Sequence, residues 1–325
     1  MLIVNFYILI FDNMKKINNK QFSIFTIFGV FAILAVAAII NTFDFSTQKN
    51  DVLRKYQFSK FVINKKEIDT VFIGDSSCGN AINANLFDDK TGLNSYNLAL
   101  TGSFGIESDI NMLKHSIKHF PKLQNVIFIH TLNIWGRDFS YTGFFDTLYG
   151  FSDLVYYNHL TDNNLVPEYL VYKTNPKEIA WLFGKNKIKN SIDINLDYNG
   201  QKTKKFSNGL ITLSSIENYD EFNLANHKKL VYNELEKICK QNNLQCFYAN
   251  GPILENIYTA ENAKIDNLIK KINLLNKNII FIPKVFIYPA KMIGDSEDHI
   301  DPNFKDKVTL DYIDILEKYG LKGKE

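Results

Sequence analysis

The strongest constraint on the fold is an alternation: short β-branched and aromatic runs recur between amphipathic segments of helical length. The runs Asp69–Gly74 (DTVFIG), Ser95–Leu100 (SYNLAL), Asn125–Thr131 (NVIFIHT), Gln245–Asn250 (QCFYAN) and Asn278–Pro283 (NIIFIP) read as strands. Between them, Ile106–His119, Glu221–Gln241 and Ala260–Asn276 read as helices. Strands joined through helices pair in parallel, and the helices then cover both faces of the sheet. The expected fold is therefore α/β, a doubly wound parallel sheet. A closing helix follows Asp301 and Pro302, a cap and a first-position proline, with Val308, Tyr312, Ile315, Leu316 and Tyr319 on one face.

The rhythm breaks between Trp135 and Ser215, a stretch far longer than an ordinary connection, read as an insertion over the site at about 136–215. Its aromatics Trp135, Tyr141, Phe144, Phe145, Tyr149, Phe151, Tyr156 and Tyr157 suit packing of the insertion, with stacking on sugar rings as the alternative. Lys185, Lys187 and Lys189, near Trp181, read as a solvated face.

Gln21–Phe43 carries no charge over roughly the twenty residues that a membrane-spanning helix needs. Lys15, Lys16 and Lys20 precede it and Asp44 follows, which orients the N-terminus to the cytoplasm and the remainder outside. A cleaved signal peptide is the rival reading, but its only A-x-A match, Ala35-Val36-Ala37, sits inside the apolar run. The expected organisation is a cytoplasmic segment 1–20, an anchor 21–43, a stalk or first helix 44–66 and a catalytic domain 67–325 in one extracytoplasmic piece. Residues 1–13 read as a start-site artefact, because Met14 followed by two lysines makes the more ordinary beginning.

The 37 basic and 35 acidic residues leave a formal charge of +2, so no overall field draws the chain to nucleic acid. The three cysteines, Cys78, Cys239 and Cys246, lack C-x-x-C spacing, and no structural metal is expected. Outside the cell Cys239 and Cys246 can pair; two buried thiols are equally compatible with the sequence.

Ligands of open α/β sheets bind at the C-terminal ends of the strands. Gly74-Asp75-Ser76-Ser77 follows the first strand there, and a serine on such a turn presents its hydroxyl beside backbone N–H groups. Ser77 is the competing hydroxyl, and Cys78 reads as a small buried hydrophobe. Asp75 is expected to hold the loop by accepting backbone N–H groups. A serine nucleophile needs a base, and the base an acid; Gly294-Asp295-Ser296-Glu297-Asp298-His299 supplies both. His115, His119, His159 and His227 read as surface or insertion residues, and His130 as a half-buried strand end without a comparable acidic neighbourhood.

The order GDSS, NLALTG, a strand ending HTLN, then DSEDH resembles the block layout of SGNH (GDSL-like) hydrolases over roughly Asp69 to Leu316, insertion excepted. The resemblance implies a three-layer, flavodoxin-like fold with Ser76 as nucleophile, His299 as base, and Gly102 and Asn133 as oxyanion donors. Of the third block, G-x-N-D, only Asn133 is present, and the residue three before His299 is Ser296 rather than aspartate. The longer D-x-x-x-H spacing is similar to that of membrane-anchored DltD-like and alginate-acetylation-like proteins. It implies Asp295 as the orienting acid, with Asp298 as the alternative. By the same resemblance the expected activity is O-acyl transfer or ester hydrolysis on cell-surface polysaccharide, without cofactor, beside a multispanning membrane acyltransferase partner. Two rivals stand: a non-catalytic glycan-binding or assembly subunit, and D-alanyl transfer on teichoic-type polymers.

Overall fold

A computed structural model describes Gly29 and residues 49–62, 67–173, 222–275 and 278–323. The expected anchor Gln21–Phe43, Gly29 apart, and the segment with Trp181, Lys185, Lys187 and Lys189 lie outside these residues. Among the described residues no helix is long and apolar enough to cross a membrane. The chain divides into two compact units, a larger one of residues 47–165 and 189–325 and a smaller one of 1–46 and 166–188.

The strands are β1 (Thr70–Gly74), β2 (Ser95–Asn97), β3 (Asn125–His130), β4 (Gln245–Asn250), β5 (Pro252–Leu254), β6 (Ile280–Ile282) and β7 (Phe286–Tyr288). The helices are α1 (Lys49–Lys60), α2 (Ser76–Ala81), α3 (Ala84–Thr91), α4 (Glu107–His119), α5 (Tyr141–Asp146), α6 (Ser152–Tyr156), α7 (Leu165–Lys173), α8 (Asn226–Gln241), α9 (Glu255–Asn273) and α10 (Lys305–Lys318). Most of α7 belongs to the smaller unit; the other elements form the larger one.

Five strands pair in parallel in the order β2-β1-β3-β4-β6, and β5 pairs with β7 in a separate two-stranded parallel sheet. Every residue of β1 and β3 is buried, as a parallel sheet covered on both faces requires. The register shows what covers them. Phe72 meets Phe87 of α3 edge-on at 4.8 Å, whereas the next row, Ile73, Phe128 and Tyr248, points to the opposite face, where Tyr248 lies 5.9 Å from Tyr232 of α8. Helices α3 and α10 pack together, as do α4 and α8, so the sheet lies between two helical layers.

Three expectations are refined. Of the two readings of the polar segment 44–66, stalk or first helix, the described part is the helix: α1 buries Leu53, Gln57 and Lys60, and Gln57 Nε2 and Lys60 Nζ donate to Ala99 O and Asn97 O at 2.6 and 2.8 Å. On α10, Ile313 takes the buried place expected for Tyr319, which is 37% exposed because it caps the helix end. Of the insertion's aromatics, Trp135, Phe144, Phe145 and Tyr157 are core, while Phe151 and Tyr156 stand half in solvent.

Candidate active site

The order β2-β1-β3 makes the chain leave β1 toward one side and return on the other, which opens a crevice at the C-terminal ends of β1 and β3. Gly74 ends β1 against β3 so closely that a Cβ would lie 1.9 Å from Ile129 O. Asp75 then staples the two strand ends. Its Oδ2 accepts from Thr131 N at 3.0 Å, and its Oδ1 caps α2 by accepting from Ser77 N at 2.9 Å. The loop-holding role expected for Asp75 is what the geometry shows.

That cap separates the two serines. Ser77 is fully buried and its Oγ donates to Asp75 Oδ1, whereas Ser76, the first residue of α2, is half-buried and its hydroxyl has no partner among the described residues. Cys78 is buried, and burial pushes its thiol well above the ordinary range, so it is no thiolate nucleophile.

His299 comes from a loop that closes on itself. Ile293 and Ile300 form its antiparallel base, Gly294 N donates to His299 O at 2.7 Å, and His299 N to Ser296 O at 3.2 Å. Leu254 N donates to Glu297 O, which ties the loop to β5. The tight turn brings Asp295 Oδ1 within 2.7 Å of His299 Nδ1, while Asp298 Oδ1 lies 3.7 Å from Nε2 and accepts from Ser296 Oγ. Asp295 is thus the acid on Nδ1. Burial disfavours the imidazolium, but the Asp295 hydrogen bond and the charges of Asp298, Asp295 and Asp75 outweigh it and raise His299 above its ordinary pKa. His299 lies within the field of Asp75, the neighbour of Ser76 in the chain. No hydrogen bond joins Ser76 Oγ to His299 Nε2.

The two oxyanion candidates are connected through a residue that the sequence did not single out. Arg137 Nη2 donates to Asn133 Oδ1 at 2.7 Å, and its Nη1 reaches Gly102 O at 3.5 Å. Asn133 lies in a short 3-10 turn, Leu132–Trp135, directly after β3, and Gly102 opens another, Gly102–Phe104, after β2. Glu297, its carboxyl raised first by burial, also lies within the field of Arg137 and His299.

His130 is not half-buried but 2% exposed, and it does have an acid: its Nε2 lies 3.3 Å from Asp109 Oδ2 of α4, and its Nδ1 3.2 Å from Tyr248 Oη. Burial pushes the Asp109 carboxyl upward, against the pull of His130. These groups are sealed from solvent and lie within the field of Asp75. His115 is half-buried rather than exposed: it is ringed by Phe58, Phe61, His119 and Tyr149, and burial lowers its pKa to about 4. His227 is half-buried, 3.6 Å from Glu107.

Cys239 and Cys246 form a disulfide between the last turn of α8 and the start of β4. Among the described residues no group of three or more His, Cys, Asp or Glu side chains is arranged to hold a metal ion. Comparison with protein-family models, with curated proteins and with solved structures gave no match.

Proposed function

We propose that the chain is a serine-dependent O-acyltransferase or esterase of SGNH type, working outside the cytoplasmic membrane on cell-surface polysaccharide. The observation that carries this reading is an Asp295–His299 pair within the field of Asp75, the residue that caps the turn carrying a half-buried Ser76 at the β1–β3 switch point.

Because Asp295 accepts from Nδ1–H, the neutral imidazole keeps its lone pair on Nε2. Closure of His299 onto Ser76 lets Nε2 take the Oγ proton as Oγ bonds to the ester carbonyl carbon. The oxyanion is met by the Gly102 N–H, the Asn133 amide and backbone N–H groups at the start of α2. As the alcohol departs it takes the proton back from Nε2, leaving acyl-Ser76. A sugar hydroxyl or water then attacks, deprotonated by the same nitrogen. The Cys239–Cys246 disulfide supports an oxidising compartment, in line with the expected anchor at Gln21–Phe43 and a catalytic domain outside.

Mass spectrometry of the protein after incubation with an activated acetyl ester tests this. An acetyl group on Ser76, absent in Ser76→Ala and suppressed in His299→Ala, is the expected result; an unmodified wild-type protein counts against it. The missing Ser76–His299 hydrogen bond, with Asp298 beside Nε2, favours as second reading a glycan-binding subunit without turnover. That protein would bind polysaccharide equally well as Ser76→Ala.

A further inference from the structure

Resting on the acyl-serine reading, the geometry points to Arg137 as the positioning residue of the oxyanion site, acting through Asn133 rather than on the substrate. An asparagine amide has a donor end and an acceptor end of nearly equal shape. An oxyanion is stabilised by the first and repelled by the second. A guanidinium carries donors only, so its 2.7 Å contact with the Asn133 side chain can be made to Oδ1 alone. The opposite end, Nδ2, has no hydrogen-bond partner among the described residues, although Asn133 is only 7% exposed. Arg137 thereby selects one of two amide orientations and leaves the donor unspent.

The same guanidinium lies over the second candidate donor. Its Nη1 is 3.5 Å from Gly102 O, and a Cβ on Gly102 would stand 2.8 Å from that nitrogen. A side chain at this position would make the guanidinium shift from where it now stands. The Gly102 N–H, like Asn133 Nδ2, donates to nothing described.

Arg137 is itself held. His227 Nε2 lies 3.2 Å from Arg137 O, Lys228 Nζ donates to Asp138 O at 3.4 Å, and Ala225 N donates to Trp135 O at 3.0 Å. The segment from Trp135 to Asp138 is thus pinned to the start of α8 at three places, so a rigid helix, not a loop, sets where the guanidinium stands.

The test is a cycle of Asn133→Ala, Arg137→Ala, the double variant and Arg137→Lys in the full-length protein. It reads the rate of Ser76 labelling by a fluorophosphonate, and kcat and KM for an activated acetyl ester. Loss of one oxyanion donor costs about 10²–10³ in kcat. Asn133→Ala is expected to show a loss of that order, and Arg137→Ala about 10–100-fold with KM little changed. The double variant should be no slower than Asn133→Ala within about threefold, since the arginine then has no amide to orient. Arg137→Lys keeps charge without the fork and should fall between. Added guanidinium should rescue Arg137→Ala and leave the double variant unmoved. Multiplicative losses in the double variant, or rescue of both, overturn the role of Arg137 while leaving the acyl-serine reading intact. A wild-type protein that no fluorophosphonate labels overturns the reading itself, and the role of Arg137 with it.

Discussion

Replacing Glu107 by Gln removes the counter-charge of a lysine that water cannot reach. Lys228 Nζ and Glu107 Oε1 are 2.5 Å apart, both side chains are 0% exposed, and among the described residues the only other group that Lys228 donates to is Asp138 O at 3.4 Å. An ammonium left so placed loses its partner without regaining hydration, and breaking a buried pair in this way costs about 3–5 kcal/mol. That is a large share of the roughly 5–15 kcal/mol that separates a domain from its unfolded state. With a urea m-value of about 3 kcal/mol per M, the unfolding midpoint should fall by about 1–1.7 M. Trp135, fully buried and 5.9 and 5.1 Å from Tyr232 and Tyr248, reports the transition by fluorescence. Lys228→Met should cost a similar amount. The double variant should cost no more than about 1–2 kcal/mol, because neither charge is then stranded. Single losses under about 1 kcal/mol, or a double loss equal to their sum, would refute the reasoning.

Three further outcomes follow from other parts of the molecule. His115 stays neutral in the fold to about pH 4 while its unfolded form protonates near 6.5, so stability should decline as pH falls through that window, by on the order of 3 kcal/mol; urea midpoints of His115→Phe should lack this part of the slope. Asp295→Asn removes the hydrogen bond that heads the causes raising His299, so the acid limb of kcat should move to lower pH and kcat drop by about 10² or more. If Asp298→Asn moves the limb instead, the acids are assigned the wrong way round. Replacing Cys239 and Cys246 by Ala opens a loop of sequence separation 7 and should lower stability by about 2–2.5 kcal/mol, seen as an equal drop on reducing the wild type.

The sheet was legible because its central strands are buried on both faces and so are written as continuous apolar runs; Gln245–Asn250 matches β4 end to end. The paired strands β5 and β7 were missed because three residues each, Pro252–Leu254 and Phe286–Tyr288, carry no readable period. Of the candidate site, the Asp295–His299 pairing was readable because both residues lie in one short local motif. The contacts of Arg137 were not: they arise only when the turns after β2 and β3 come together, although a basic residue four beyond Asn133 was a usable hint. His130 was misjudged for a similar reason, because Asp109 reaches it from another element. The helical spacing of Leu53, Gln57, Lys60 and Phe61 was hidden by two polar members whose partners are backbone carbonyls.

Those two side chains occupy the open margin of the sheet. β2 is an outer strand: Leu98 and Leu100 donate inward to Phe72 O and Gly74 O, which turns the carbonyls of Asn97 and Ala99 outward. Outward carbonyls in a row are a template for a strand from another chain. Lys60 and Gln57 occupy both, and α1 lies across the margin where such a strand would add. A fragment begun at residue 67, the domain boundary suggested by composition, would keep every candidate catalytic residue and lose this guard. It would be expected to self-associate through β2, whereas a fragment begun before α1 would stay dispersed.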